Sequence, residues 1–338
     1  MNSTITSLRF DEESFTSMTS QYRTGIMGLS MLSIMLFHQY ITSVFPFNIF
    51  HNFGHWGVDV FLFISGAGLV NSLKRHSIRT FYIRRLLRIL PSCFFCGIVR
   101  FLVVLLLGIF FLEIKERLNY SALTLASLDL WFIHTILILY AITPFLYIFL
   151  KKWPLLTFSC IVTLFFLNGI FIKPVVGYEW QSPIGVFSWT VERLLVFSFG
   201  MYASINKDKI SIRLSIPILF LLMAICLVLM DKTGRSFRCL QACIYFTLAL
   251  GMPALLYLSI CILKIIPYPL HHLIVFMGSY SLELYLVHEF LFWTLKIAFE
   301  NGNPWILLPL GFILSFLFAY LCKLCISKIM IILHCQCT

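Results

Sequence analysis

Apolar residues in this chain come in uninterrupted blocks of about twenty, separated by short polar or basic stretches. A block of that length matches the hydrocarbon thickness of a bilayer, so the solvent this chain is built for is lipid. In lipid the backbone must satisfy its own hydrogen bonds, which makes each block a helix. Composition agrees: 60 % of the residues are hydrophobic and only 12 % charged, against about a quarter charged in an ordinary soluble domain. A soluble globular fold is excluded. The expectation is an all-α polytopic integral membrane protein with about ten transmembrane helices.

The apolar runs predict spans near 25–46, 56–73, 89–112, 129–150, 153–172, 185–203, 213–230, 238–262, 271–295 and 304–333. Ten spans put both termini on one side. Lys and Arg are more than twice as numerous on that side as on the other, with six in the second connection alone, so the positive-inside rule places both termini in the cytoplasm. No internal repeat and no long polar linker divides the chain. Residues 1–338 read as a single membrane domain whose first part, 1–24, is a polar cytoplasmic tail. That tail lacks the charged start and apolar centre of a secretory signal.

The net charge of +11 does not point to nucleic acid, because the cations are spread along the connections rather than gathered on one face or tail. The 11 cysteines lie mostly within or beside apolar blocks and read as small buried hydrophobes. Cys93/Cys96 and Cys322/Cys325 have metal-like spacing, yet no second pair faces either in a loop, and no metal site is expected.

An ionisable side chain at membrane depth costs a few kcal/mol, so each one is a functional candidate by default, with helix-to-helix pairing as the plainer alternative. Counting residues along each span at 1.5 Å per residue puts His38, Asp59, His134, Glu192, Arg193, His288 and Glu289 in the outer half of the bilayer. Seven groups from five spans thus share one layer, as a polar cavity would require. Arg100 and Glu283 lie deeper and form a candidate midplane ion pair. On the cytoplasmic side, Arg84, Arg85 and Arg88 stand at helical spacing ahead of Pro91. Their planar forks suit a multiply phosphorylated ligand, while a basic stop against anionic headgroups needs only their charge. The residues alone leave both readings open. Together, the outer layer offers an imidazole base and the inner stretch a phosphate grip, an arrangement for a phosphorylated donor entering from the cytoplasm.

Three segments in order, Leu36-Phe37-His38, Gly57-Val58-Asp59-Val60-Phe61-Leu62-Phe63-Ile64-Ser65-Gly66 and Phe81-Tyr82-Ile83-Arg84-Arg85-Leu86-Leu87-Arg88-Ile89-Leu90-Pro91, resemble the acyltransferase-3 family of polytopic membrane O-acyltransferases. Weaker support comes from Leu130-Trp131-Phe132 with Tyr140 and Pro144, from Arg193 with Phe197 and Gly200, and from Gly278-Ser279-Tyr280-Ser281 leading to Tyr285-Leu286-Val287-His288. The resemblance implies ten core helices and an acyl-CoA donor, acetyl-CoA in the simplest case, on the cytoplasmic side. No resident cofactor is implied. The acceptor would be a hydroxyl of a cell-surface or lipid-linked glycan, and the setting the cell membrane of a bacterium. It also implies that His38 is the catalytic histidine and that Arg84, Arg85 and Arg88 serve the CoA phosphates. One departure stands out: family members usually carry an arginine eleven residues before that histidine, where this chain has Met27, with Arg23 one turn earlier.

On this reading His38 takes the acceptor proton, Asp59 or Glu289 orients or balances its imidazole, and His134, Arg193, Tyr285 and His288 line the acceptor cavity. Direct transfer and an acyl-histidine intermediate are both compatible with the residues. In Ser65-Gly66-Ala67-Gly68 the glycines serve either tight helix packing or, as the resemblance suggests, room for the pantetheine arm. The alternative function is a non-enzymatic carrier or flippase that uses the buried His/Glu/Arg layer to bind a solute.

Overall fold

The computed structural model describes residues 15–39, 54, 56–110, 130–176, 182–206, 215–221, 224, 238–299 and 302–336. Every long element among them is helical: α1 (Phe15–Gln21), α2 (Arg23–His38), α3 (Trp56–Arg75), α4 (Ile78–Phe110), α5 (Trp131–Lys152), α6 (Pro154–Leu167), α7 (Pro183–Ile205), α8 (Arg238–Ile265), α9 (Tyr268–Ser279), α10 (Ser281–Ala298) and α11 (Pro304–Gln336). Seven stretches of described helix are long and apolar enough to cross a membrane, and α9 with α10, taken as one broken span, brings the number to eight. The protein is an all-α polytopic membrane protein. Most of the seventh expected span, 213–230, and residues 40–46 of the first lie outside the described residues.

Three expectations change in detail. The basic stretch before the third span is not a loop: α4 starts at Ile78 and runs unbroken through Pro91. Arg, Leu and Ile are adequate helix formers, and a proline inside a membrane helix is tolerated where neighbours absorb its missing bond. The fifth span also outruns its expected end. After α6 the backbone widens into a π-turn at Asn168–Ile172 and regains α geometry over Lys173–Val176, which carries Lys173 into the interior at 4 % exposure.

The ninth span, expected as one helix over 271–295, is instead α9 and α10 meeting at 91°. Tyr280, at φ −111° and ψ 16°, breaks the ladder. Lys323 of α11 donates to the freed carbonyl of Ser279, and Ser279 Oγ bonds back to the carbonyl of Val275 at 3.0 Å. Residue counting therefore misplaces the depth of α10, because its axis is not that of α9.

Helix pairs at the centre touch backbone to backbone. A Cβ on Gly66 of α3 would strike the carbonyl oxygen of Phe197 in α7, and one on Gly200 of α7 would strike that of Phe63 in α3. Gly28 of α2 meets Ile274 of α9 in the same way, and Gly278 meets Thr24. Without a hydrophobic drive between helices, such close approach supplies the association. Gly68, two residues from Gly66, is different: the nearest atom to its would-be Cβ is Arg23 Nη2 at 3.8 Å, an ordinary contact. The tetrapeptide thus divides its duties, with Gly66 packing a helix and Gly68 bordering open space.

Gly66→Ala forces α3 and α7 apart and is expected to cost about 1–3 kcal/mol, the usual penalty of overpacking. Gly68→Ala is expected to be neutral or to stabilise by up to about 1 kcal/mol through helix propensity. Thermal unfolding of the two detergent-solubilised variants checks the difference.

Candidate active site

Histidine 38 is the last residue of α2, followed by Gln39 in extended backbone. It is half-buried, and its Nδ1 lies 3.0 Å from Nε2 of His288, 250 residues away on α10. The two rings are 5.1 Å apart and tilted by 56°. His288 is 1 % exposed and its Nδ1 meets the carbonyl oxygens of Leu284 at 2.8 Å and Tyr285 at 3.0 Å. Glu289, the next residue, is half-buried.

A second constellation joins α3, α5, α7 and the continuation of the chain beyond α6, the π-turn and the short helix Lys173–Val176. Arg193 Nη1 pairs with Asp59 Oδ1 at 3.4 Å, both side chains being buried, and Lys173 Nζ pairs with Glu192 Oε1 at 3.0 Å. Each cation also sits over an indole: Arg193 over Trp131 at 5.4 Å and Lys173 over Trp189 at 4.3 Å. The indoles themselves are 4.8 Å apart. Asp59, expected as a partner for the catalytic imidazole, is thus engaged with Arg193. His134 stands one turn from Trp131 on the same helix, half-buried. Asp59 Oδ2, Glu192 Oε2, Asn168 Oδ1 and Ser188 Oγ are buried with no hydrogen-bond partner among the described residues. Buried polar atoms left in this condition mark a place where water or a polar ligand belongs. Aromatic contacts bridge the two constellations, Trp131 to Phe132 at 6.1 Å, Phe132 to Tyr285 at 4.9 Å and Tyr285 to His288 at 5.8 Å.

Beneath these aromatics runs a cavity of about 210 Å3. Phe61, Phe132 and Tyr285 line one end, Ser65, Gly68, Ile136 and Tyr140 the middle, and Arg23, Arg85 and Arg88 the other end. Ser65 Oγ and Tyr140 OH are 3.3 Å apart. From Tyr140 to Phe132 along α5 the cavity extends about 12 Å at 1.5 Å per residue. A second cavity of about 420 Å3 shares Arg23, Met27, Arg88, Ser281 and Leu282 and adds Lys323 and Glu283. The first turn of α10, whose N–H groups lack intrahelical partners, therefore borders both.

The structure brings together most of the expected residues but not all. Arg85 and Arg88 face the cavity; Arg84 turns away and hydrogen-bonds His76. Arg23 and Met27, one turn apart on α2, both line it. Glu283, a candidate midplane partner for Arg100, accepts from Ser92 Oγ at 3.0 Å, while Arg100 lies over the ring of Phe290 at 5.7 Å. Lys173 was missed by sequence reasoning, which placed it in a connection; the continuing apolar run after Asn168 was the available signal.

Comparison with protein-family models matches residues 25–324 to an acyltransferase domain. No curated protein and no solved structure matches the chain. The matched region contains both histidines, Arg85 and Arg88 of the cavity and the two ion pairs, and extends over nearly the whole chain, which therefore belongs to the acyltransferase-3 family and is a multi-pass membrane acyltransferase.

Proposed function

We propose that the protein transfers an acyl group, acetyl in the simplest case, from cytoplasmic acyl-CoA to a hydroxyl of a cell-surface or lipid-linked glycan. The reading includes ten spans in one membrane domain, both termini in the cytoplasm, and residence in the cell membrane of a bacterium. The observation that carries it is the cavity whose arginine end and aromatic end are the two ends of one space, the latter beside the histidine pair. A CoA thioester has this polarity: phosphates at one end, a slender neutral arm, and the reacting carbonyl at the tip.

Arg23, Arg85 and Arg88 take the phosphates as charge-assisted hydrogen-bond donors, and no carboxylate among the described residues forms an ion pair with any of them. The arm passes Gly68 and the Ser65–Tyr140 pair. The acceptor hydroxyl lies against the layer of Asp59, Arg193, His134 and the two indoles, where stacking faces and unsatisfied polar atoms suit a sugar. His38 takes the hydroxyl proton as the oxygen attacks the thioester carbonyl; the new C–O bond forms, the C–S bond breaks, and the CoA thiolate leaves, to be protonated from His38 or solvent. The carbonyl end of α2 favours the positive charge that the imidazole gains in this step.

Three outcomes test the reading. His38→Ala is expected to insert and bind CoA normally while losing transfer by about 10²–10⁴-fold, as for a lost general base; incubation of purified protein with radiolabelled acetyl-CoA, and mass spectrometry of surface glycans, read this directly. Arg85→Ala and Arg88→Ala are each expected to weaken CoA binding by about 1.5–3 kcal/mol, the value of a charged hydrogen bond, whereas Arg84→Ala leaves it nearly unchanged. A lipid-anchor role predicts instead impaired insertion with CoA affinity intact. Arg23→Ala is expected to weaken donor binding comparably, and Met27→Arg in that background to restore part of it, measured by calorimetry on inserted protein.

A further inference from the structure

Two backbone carbonyls decide where the protons of the histidine pair sit. A carbonyl oxygen only accepts, so the contacts of His288 Nδ1 with the oxygens of Leu284 and Tyr285 require a proton on Nδ1. His288 is 1 % exposed, and burial favours the uncharged, singly protonated ring. Its Nε2 then carries a lone pair. That lone pair faces His38 Nδ1 at 3.0 Å, and a hydrogen bond between two ring nitrogens needs one proton between them, which His38 must supply from Nδ1. The unprotonated nitrogen of His38 is consequently Nε2, on the far side of the ring.

We propose that His288 is the positioning residue of the reaction, fixing His38 in the tautomer whose Nε2 is the base and holding its ring against rotation. The inference rests on the proposal that His38 accepts the acceptor's proton. In the opposite tautomer Nε2 would hold a proton and could not take another. The geometry also gives the imidazolium somewhere to lean: once Nε2 is protonated, the Nδ1–H bond to His288 becomes a charge-assisted one. The order carbonyl, His288, His38, hydroxyl places a neutral imidazole in the role that a carboxylate fills in other base-orienting arrangements. It explains why Asp59 is spared for Arg193.

Substitution separates this role from packing. In His288→Gln the side-chain amide keeps an acceptor for His38 Nδ1–H; His288→Leu fills similar volume without one. With both variants inserted, as checked by thermal unfolding and CoA binding, His288→Leu is expected to lower kcat on the order of 100-fold with KM for acyl-CoA unchanged, and His288→Gln to restore kcat to within about tenfold of the parent. Equal kcat in the Leu variant and the parent, or equal loss in Gln and Leu, overturns the proposal. If His38→Ala itself stays active, the reading of His38 fails instead, so the two failures are distinguishable. Nitrogen NMR of histidine-labelled protein, with His38 assigned by its absence from the spectrum of inserted His38→Ala, reads the tautomer in the parent itself, with His288 intact. A protonated Nδ1 with bare Nε2 on His38 is expected, and the reverse tautomer overturns the proposal.

Discussion

The break at Tyr280 frees backbone groups that a membrane helix otherwise satisfies within itself, and it is the feature on which the rest of the site depends. Lys323 takes the carbonyl it frees. The Cβ-less Gly278 lets the end of α9 lie against the backbone of α2. Turned by 91°, α10 then sets its first turn along the cavities and His288 against the end of α2. A straight helix would join none of these, because its first and third turns would lie along the axis of α9.

How much of this is legible in the sequence depends on what each residue needs from its neighbours. His38, Asp59, Arg193 and His288 stand out by type alone, since ionisable groups in apolar runs are costly wherever they fall. Arg85 and Arg88 are legible by charge, but their separation from Arg84 is not: a helix turns 100° per residue, so adjacent arginines face different ways. Only the start of α4 at Ile78, earlier than hydropathy places it, decides which faces inward. The break at Tyr280 and the π-turn at Asn168 leave apolar runs intact and so escape a reading based on runs. With the π-turn goes Lys173, whose burial against Glu192 depends on a local change of helical pitch.

The glycines show the same limit at finer scale. Gly66 and Gly68 share a helix and are two residues apart, which puts them on different faces. One meets the carbonyl of Phe197, the other the guanidinium of Arg23. Sequence composition treats them alike, and only the neighbouring helix distinguishes a contact from a passage.

The charges on either side of the histidines are arranged by opposite rules. Where the two ion pairs lie, each cation has its carboxylate, Arg193 with Asp59 and Lys173 with Glu192, so that region is close to neutral and suits an uncharged ligand whose hydroxyls satisfy the leftover polar atoms. At the other end of the cavity Arg23, Arg85 and Arg88 face one space with no carboxylate among the described residues paired to them. Like charges held together in partial burial repel and are costly, and such a cluster persists where an anion relieves it. Under the proposed function this imbalance orients the substrates: an anionic donor would be drawn to the arginine end, and a neutral acceptor would not be held there. His38, half-buried, would then meet the uncharged tip of one ligand and the hydroxyl of the other, the meeting that the proposed acyl transfer requires.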